Sequence, residues 1–142
     1  MDQFKFGFTF SEQIAGFKKM IAQQANKKLT AVGLHMVGKI KLRLSTGKRS
    51  GRIYRVPGTK HVTYQASAPG ESPAKRLGDL FGRMNYKVQK QGNTYRVGVG
   101  SPLIYAQWLE MGTRKMEARP FIRPEFILQK RFILLLLNKR WD

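Results

Sequence analysis

A single apolar stripe dominates the first third of this chain. Ile14, Phe17, Ile21, Ala25, Leu29, Val32, Met36, Ile40 and Leu44 recur at steps of three or four, which places them on one face of an α-helix. Thr9 and Glu12 stand just ahead of the stripe with the spacing of a capping box, in which hydroxyl and carboxylate each take an orphan backbone N–H. A continuous helix would run from about Ser11 to Leu44, on the order of 50 Å, longer than the core of one small domain requires. Gly33 and Gly38 lie inside it, and each costs up to ~1 kcal/mol relative to Ala, so a break giving two helices is the alternative. Lys18, Lys19, Lys27, Lys28, Lys39 and Lys41 fall mostly on the other face. They form a solvated face, or one that meets phosphates.

A chain of 142 residues with 42% hydrophobic content is one globular domain, spanning 1–142. Its 27 Lys and Arg face only 8 Asp and Glu, a net charge of +19. The excess is even, +10 over residues 1–71 and +9 over 72–142, so it belongs to the folded body rather than to a tail. Such self-repulsion is relieved by a polyanion or an anionic surface, and nucleic acid is the commonest such partner. A basic protein with no polyanion partner is the plainer reading. The absence of cysteine removes disulfides, thiolate metal sites and cysteine nucleophiles together. MDQFKFGFTF lacks the basic start and continuous apolar stretch of a secretory signal, and the longest apolar run, Phe132 to Leu137, is too short for a membrane span. These features point to the cytoplasm, with no membrane partner.

Residues 45–76 change character, with Gly, Pro, Ser and Thr prominent. Only His61 to Ala66 reads as a short strand. Lys48, Arg49, Arg52, Arg55 and Lys60 make a long basic loop over about 45–73. It is either a flexible excursion or an arm that reaches a partner or DNA. A short helical piece is expected around Ala74 to Phe81. Alternation then begins: Tyr86 and Val88, turn residues Gln91, Gly92 and Asn93, then Tyr95, Val97 and Val99 predict a β-hairpin at about 85–100. Ser101-Pro102 opens a short helix in which Ile104, Trp108 and Met111 share a face and Gly112 supplies the stop. Pro120 and Pro124 precede a terminal helix. Its Phe132–Leu137 run is apolar on every side and must be covered on every side, as the central core helix or by a second subunit. The fold class is α+β: a long N-terminal helix, a small antiparallel sheet that includes the hairpin, and a C-terminal helix.

Catalytic patterns are missing. His35 and His61 belong to no helical pair of metal-ligand spacing, the eight acids are too scattered to nominate a carboxylate pair, and neither Gly47-Lys48 nor Gly98-Val99-Gly100 completes a phosphate-binding fingerprint. Neither catalytic residue, metal site nor cofactor is expected. A site built from Arg and Lys alone, as in small RNA-cleaving toxins, remains a third reading behind a structural role and a standalone nucleic-acid-binding role.

Two segments carry a resemblance. Ala66-Ser67-Ala68-Pro69-Gly70-Glu71-Ser72-Pro73 with Leu77-Gly78-Asp79-Leu80, and Tyr105-Ala106-Gln107-Trp108-Leu109-Glu110-Met111-Gly112-Thr113 with Met116-Glu117-Ala118-Arg119-Pro120-Phe121-Ile122-Arg123-Pro124, resemble the two signatures of a family of small tail components of long-tailed double-stranded DNA phages. The resemblance spans nearly the whole chain, and the second segment is the more specific. It implies a head-tail joining, neck or tail-completion protein in the virion, assembled in the host cytoplasm. Copies would form a ring, six in number, around the DNA channel, meeting neighbouring neck and tail proteins. Tyr105, Trp108, Leu109, Glu110, Arg119, Phe121 and Arg123 are then the candidate interface residues, with Glu110 expected to pair with Arg119 or Arg123, within one subunit or across two. Lys48, Arg49, Arg52, Arg55 and Lys60 are the candidates for non-specific contact with the backbone of double-stranded DNA. The basic excess is high for that family.

Overall fold

A computed structural model describes residues 10–74 and 78–140, with side chains from residue 16 onward. Helix α1 (Phe10–Thr46) is unbroken over 37 residues, about 55 Å, so neither Gly33 nor Gly38 divides it. The expected cap at Thr9 and Glu12 lies outside the described residues.

Two antiparallel ribbons follow in place of one small sheet. Strands β1 (Ile53–Arg55) and β2 (Thr63–Gln65) pair with Tyr54 opposite Tyr64. Strand β1 was not anticipated. Its turn, Val56-Pro57-Gly58-Thr59, has the Pro and positive-φ Gly (φ 81°) that a type II turn favours. The Thr59 N–H donates to Val56 C=O at 3.2 Å.

The short helix expected from Ala74 is seen as α2 (Asp79–Gly82); Lys75, Arg76 and Leu77 lie outside the described residues. Strands β3 (Asn85–Gln91) and β4 (Thr94–Gly100) form the expected hairpin, in register from Asn85 opposite Gly100 to Gln91 opposite Thr94. Tyr86, Val88, Tyr95, Val97 and Val99 are half-buried, while Lys87, Gln89 and Arg96 point to water, the period-2 division of a one-faced ribbon.

Helix α3 (Ile104–Met111) stops at Gly112, whose φ of 76° and N–H bond to Trp108 C=O at 2.8 Å close the last turn. A Cβ there would fall 3.0 Å from both Met116 O and Ala118 N, so the following segment folds back onto it. Helix α4 (Arg123–Asn138) carries Pro124 in its first turn.

The core lies where the second half of α1 meets β3, β4 and α4. Met36, Ile40 and Phe121 are fully buried, joined by Val32, Leu44, Met84 and Ala106. Polar contacts lock α4 onto α1. Arg43 pairs with the buried carboxylate of Glu125 at 2.9 Å, and His35 Nε2–H donates to Gln129 Oε1 at 2.8 Å. At the far end, Lys28 Nζ donates to Leu137 C=O at 2.7 Å, a cation against the negative end of α4.

The stripe outlasts the core. Its C-terminal half is buried, yet Phe17 and Ile21 are exposed, as is their neighbour Met20. Helix α4 is likewise not a central helix. Phe126, Ile133, Leu136 and Leu137 pack inward, whereas Ile127, Leu128, Leu134 and Leu135 stand open.

Candidate functional site

The basic segment over 45–73 is an ordered arm. Its base is clamped by Glu71, whose carboxylate accepts from the Ser50 N–H at 3.0 Å, the Ala68 N–H at 2.8 Å and the Ser50 hydroxyl. Those three donors, with Lys48 adding a smaller electrostatic contribution, hold the Glu71 carboxyl below its ordinary value of 4.5 against an opposing desolvation effect. The Gly51 N–H donates to Ala66 C=O at 2.9 Å, and the Gly70 N–H to Ala118 C=O at 2.9 Å. Ser67, Ser72 and Pro73 are buried beneath. These bonds give the first signature segment a structural purpose: it anchors the arm to the body.

Beyond that base, β1 and β2 pack chiefly on each other. Lys48, Arg49, Arg52, Arg55 and Lys60 are all exposed, spread from the base to the turn. The arm also carries an aromatic pair that its sequence did not single out. Tyr54 and Tyr64 stack with ring centroids 5.7 Å apart, and the Arg52 guanidinium lies 6.0 Å from the Tyr54 ring. Aromatic residues interleaved with Arg and Lys were the available signal.

The second signature segment divides between fold and surface. Glu110 reaches forward to the start of α4, its carboxylate accepting from the N–H groups of Phe121 at 2.8 Å, Ile122 at 2.9 Å and Arg123 at 2.7 Å. Within one subunit, this corrects the expected pairing of Glu110 with the Arg119 or Arg123 guanidinium. Three converging backbone donors and the positive end of a helix satisfy the carboxylate. Phe121 is fully buried in the core and has no surface to offer a second subunit. Leu109 is half-buried, and its C=O accepts from the Arg119 N–H at 2.7 Å. Arg119 is half-buried with its Nε enclosed and unpartnered, while Arg123 is exposed.

What remains outside is an apolar surface. Ile104 and Met111 are about 70% exposed and Trp108 is 48% exposed, with Tyr105 beside them. On α4, Ile127 and Leu134 edge a groove of about 410 Å³ floored by Leu29, Val32, Val97, Phe126 and Ile133 and flanked by Arg123 and Lys130, and Leu128 and Leu135 stand exposed beside it. Of the interface residues anticipated on α3, Tyr105 and Trp108 are exposed while Leu109 and Glu110 are half-buried, and the row on α4 was legible only as an apolar run without a direction.

Among the described residues no cluster of three or more His, Asp and Glu could hold a metal ion, and no helix is long and apolar enough to cross a membrane. His35 is packed against Phe132 with ring centroids 4.3 Å apart, and His61 is exposed on the arm. A cleft of about 450 Å³ where α1 meets the arm's base is lined by Lys39, Arg43 and Lys48 but also by Glu71 and Glu125, a mixture that defines neither an anion nor a cation site.

Fold and surface together define an α+β chain with a basic projecting ribbon and uncovered apolar rows on three helices. No protein-family model, curated protein or solved structure matches it.

Proposed function

We propose that this chain is a structural subunit of the neck or upper tail end of a long-tailed double-stranded DNA phage. It assembles with copies of itself into a ring, of six by the resemblance, that joins head and tail around the DNA channel. The observation that carries this reading is the set of apolar side chains left exposed on α3, Ile104, Trp108 and Met111, and on α4, Ile127, Leu128, Leu134 and Leu135. Burying such side chains contributes about 1.5–3 kcal/mol each, and several large apolar side chains exposed along one helix mark an interaction surface. The signature around Trp108 supports the same assignment. No catalysis, metal or cofactor is part of it, and its partners are copies of itself, neighbouring neck and tail proteins, and DNA.

A ring multiplies the +19, so its assembly needs a polyanion. DNA in the lumen supplies one through backbone contacts that read no sequence and so do not obstruct passage. Lys48, Arg49, Arg52, Arg55 and Lys60 are the candidates for that contact, and their exposure supports it.

The test is Trp108→Ala. The variant should fold, with its thermal midpoint within about 4 °C of the parent because the side chain is half exposed, and should fail to enter particles. Normal yields of infectious particles would overturn the interface, and a strictly monomeric parent at micromolar concentration in light scattering, with and without DNA, would overturn the ring. A second reading, a standalone nucleic-acid-binding protein, is favoured by the arm; it requires tight salt-sensitive binding by a monomer.

A further inference from the structure

From the arm's aromatic face we infer a second binding mode: the β1–β2 ribbon is a stacking platform for the bases of single-stranded nucleic acid. The inference shares its cations with the duplex contact above but does not depend on the ring. Tyr54 and Tyr64 face each other directly across the ribbon, so one face carries both rings. Tyr64 is half-buried and backs Tyr54, which keeps 46% of its surface exposed. The Arg52 guanidinium lies over the Tyr54 ring, 6.0 Å from its centroid, a cation–π contact from which this long side chain turns to the phosphate when a base takes its place on the ring.

A rigid aromatic ring with a neighbouring guanidinium serves an unpaired strand better than a duplex. Duplex bases have their π-faces covered by their neighbours, whereas an unpaired base stacks on an exposed ring regardless of its identity. Lys60 near the turn and Lys48 and Arg49 at the base, all exposed, extend the positive charge along the ribbon, the track that such a backbone requires, while Arg55, next to Tyr54 in β1, points to the opposite face. The Glu71 clamp at the base holds this face in place before ligand arrives, which lowers the ordering cost of binding.

Fluorescence anisotropy with a labelled oligothymidylate of about 15 nucleotides and a labelled duplex of about 15 base pairs tests this at two salt concentrations. The full chain should bind the oligothymidylate more tightly than the duplex. Tyr54→Ala and Tyr54→Leu should both weaken oligothymidylate binding by roughly five- to hundredfold while changing duplex binding less than about twofold. Tyr54→Phe should keep the parent affinity. Arg52→Gln should weaken both ligands and flatten the salt dependence of both. Tyr54→Leu preserves a bulky apolar side chain in the ribbon, so a loss common to Leu and Ala but absent in Phe reports the π-face rather than folding. Equal losses for both ligands, unchanged oligothymidylate binding in Tyr54→Leu, or a parent that prefers the duplex or binds neither would overturn the platform. None of these results touches the Trp108 particle test, so the two readings fail separately.

Discussion

The ring of Tyr86 lies against the bare Cα of Gly33, so close that a Cβ on Gly33 would fall 2.6 Å from the Tyr86 Cγ. A helix-weakening residue therefore sits in the middle of α1 because the β3–β4 ribbon must approach there. Gly33→Ala should destabilise the protein by about 1–2 kcal/mol in urea unfolding, an overpacking cost partly offset by helix propensity. Gly38, where an added Cβ would meet nothing within 4 Å, is the control: Gly38→Ala should stabilise by up to ~1 kcal/mol.

Glu110 joins the end of α3 to the start of α4. Glu110→Ala leaves three backbone donors to find other partners and should cost about 2–3 kcal/mol, with faster hydrogen exchange at the Phe121, Ile122 and Arg123 amides. Glu110→Gln keeps an acceptor oxygen and should restore about half of the loss, since charge-assisted bonds are roughly twice as strong as neutral ones.

Arg43 and Glu125 form the polar link between α1 and α4. Arg43→Met strands the buried Glu125 carboxylate and should cost about 2–3 kcal/mol, below the range for fully buried pairs because Arg43 retains 28% side-chain exposure. The double variant Arg43→Met with Glu125→Leu should recover most of that loss. A double-mutant cycle in urea measures the coupling.

The Glu71 clamp gives the arm a pH dependence. Because hydrogen bonding lowers the Glu71 pKa in the folded state, its contribution is fully present above the ordinary value of 4.5 and is lost as pH falls through the lowered value. Hydrogen exchange corrected for intrinsic rates should show protection at the Ser50 and Ala68 amides near neutral pH and its loss on acidification. Glu71→Gln should remove that pH dependence.

Much of the secondary structure was legible because it depends on neighbours along the chain. The apolar steps from Leu29 to Leu44 specified a helix, and the alternation around Tyr86 and Tyr95 specified a hairpin. Gly112 marked the end of α3, and Pro124 the first turn of α4. Strand β1 was missed although Pro57-Gly58 carried its turn, because three exposed residues, Ile53, Tyr54 and Arg55, leave no burial pattern to read. Of the candidate site, the cations of the arm followed from composition and the shared face of Ile104, Trp108 and Met111 from helix period, while Trp108 as an interface residue followed from the resemblance. The tyrosine stack did not, since it needs the register that sets Tyr54 opposite Tyr64.

Sequence alone determined which faces are apolar, where the helices and the main hairpin fall, and that the whole body is basic. Only the tertiary structure decided which of those apolar faces are covered. The stripe of α1 has one character along its length, yet Val32, Met36 and Ile40 are buried and Phe17 and Ile21 are not, because burial depends on whether another element lies opposite. Glu110 likewise looked like a partner for a guanidinium until the fold brought three unpaired backbone amides to it. Periodicity is a property of the segment, whereas coverage and hydrogen-bond partners are set by what distant segments place beside it.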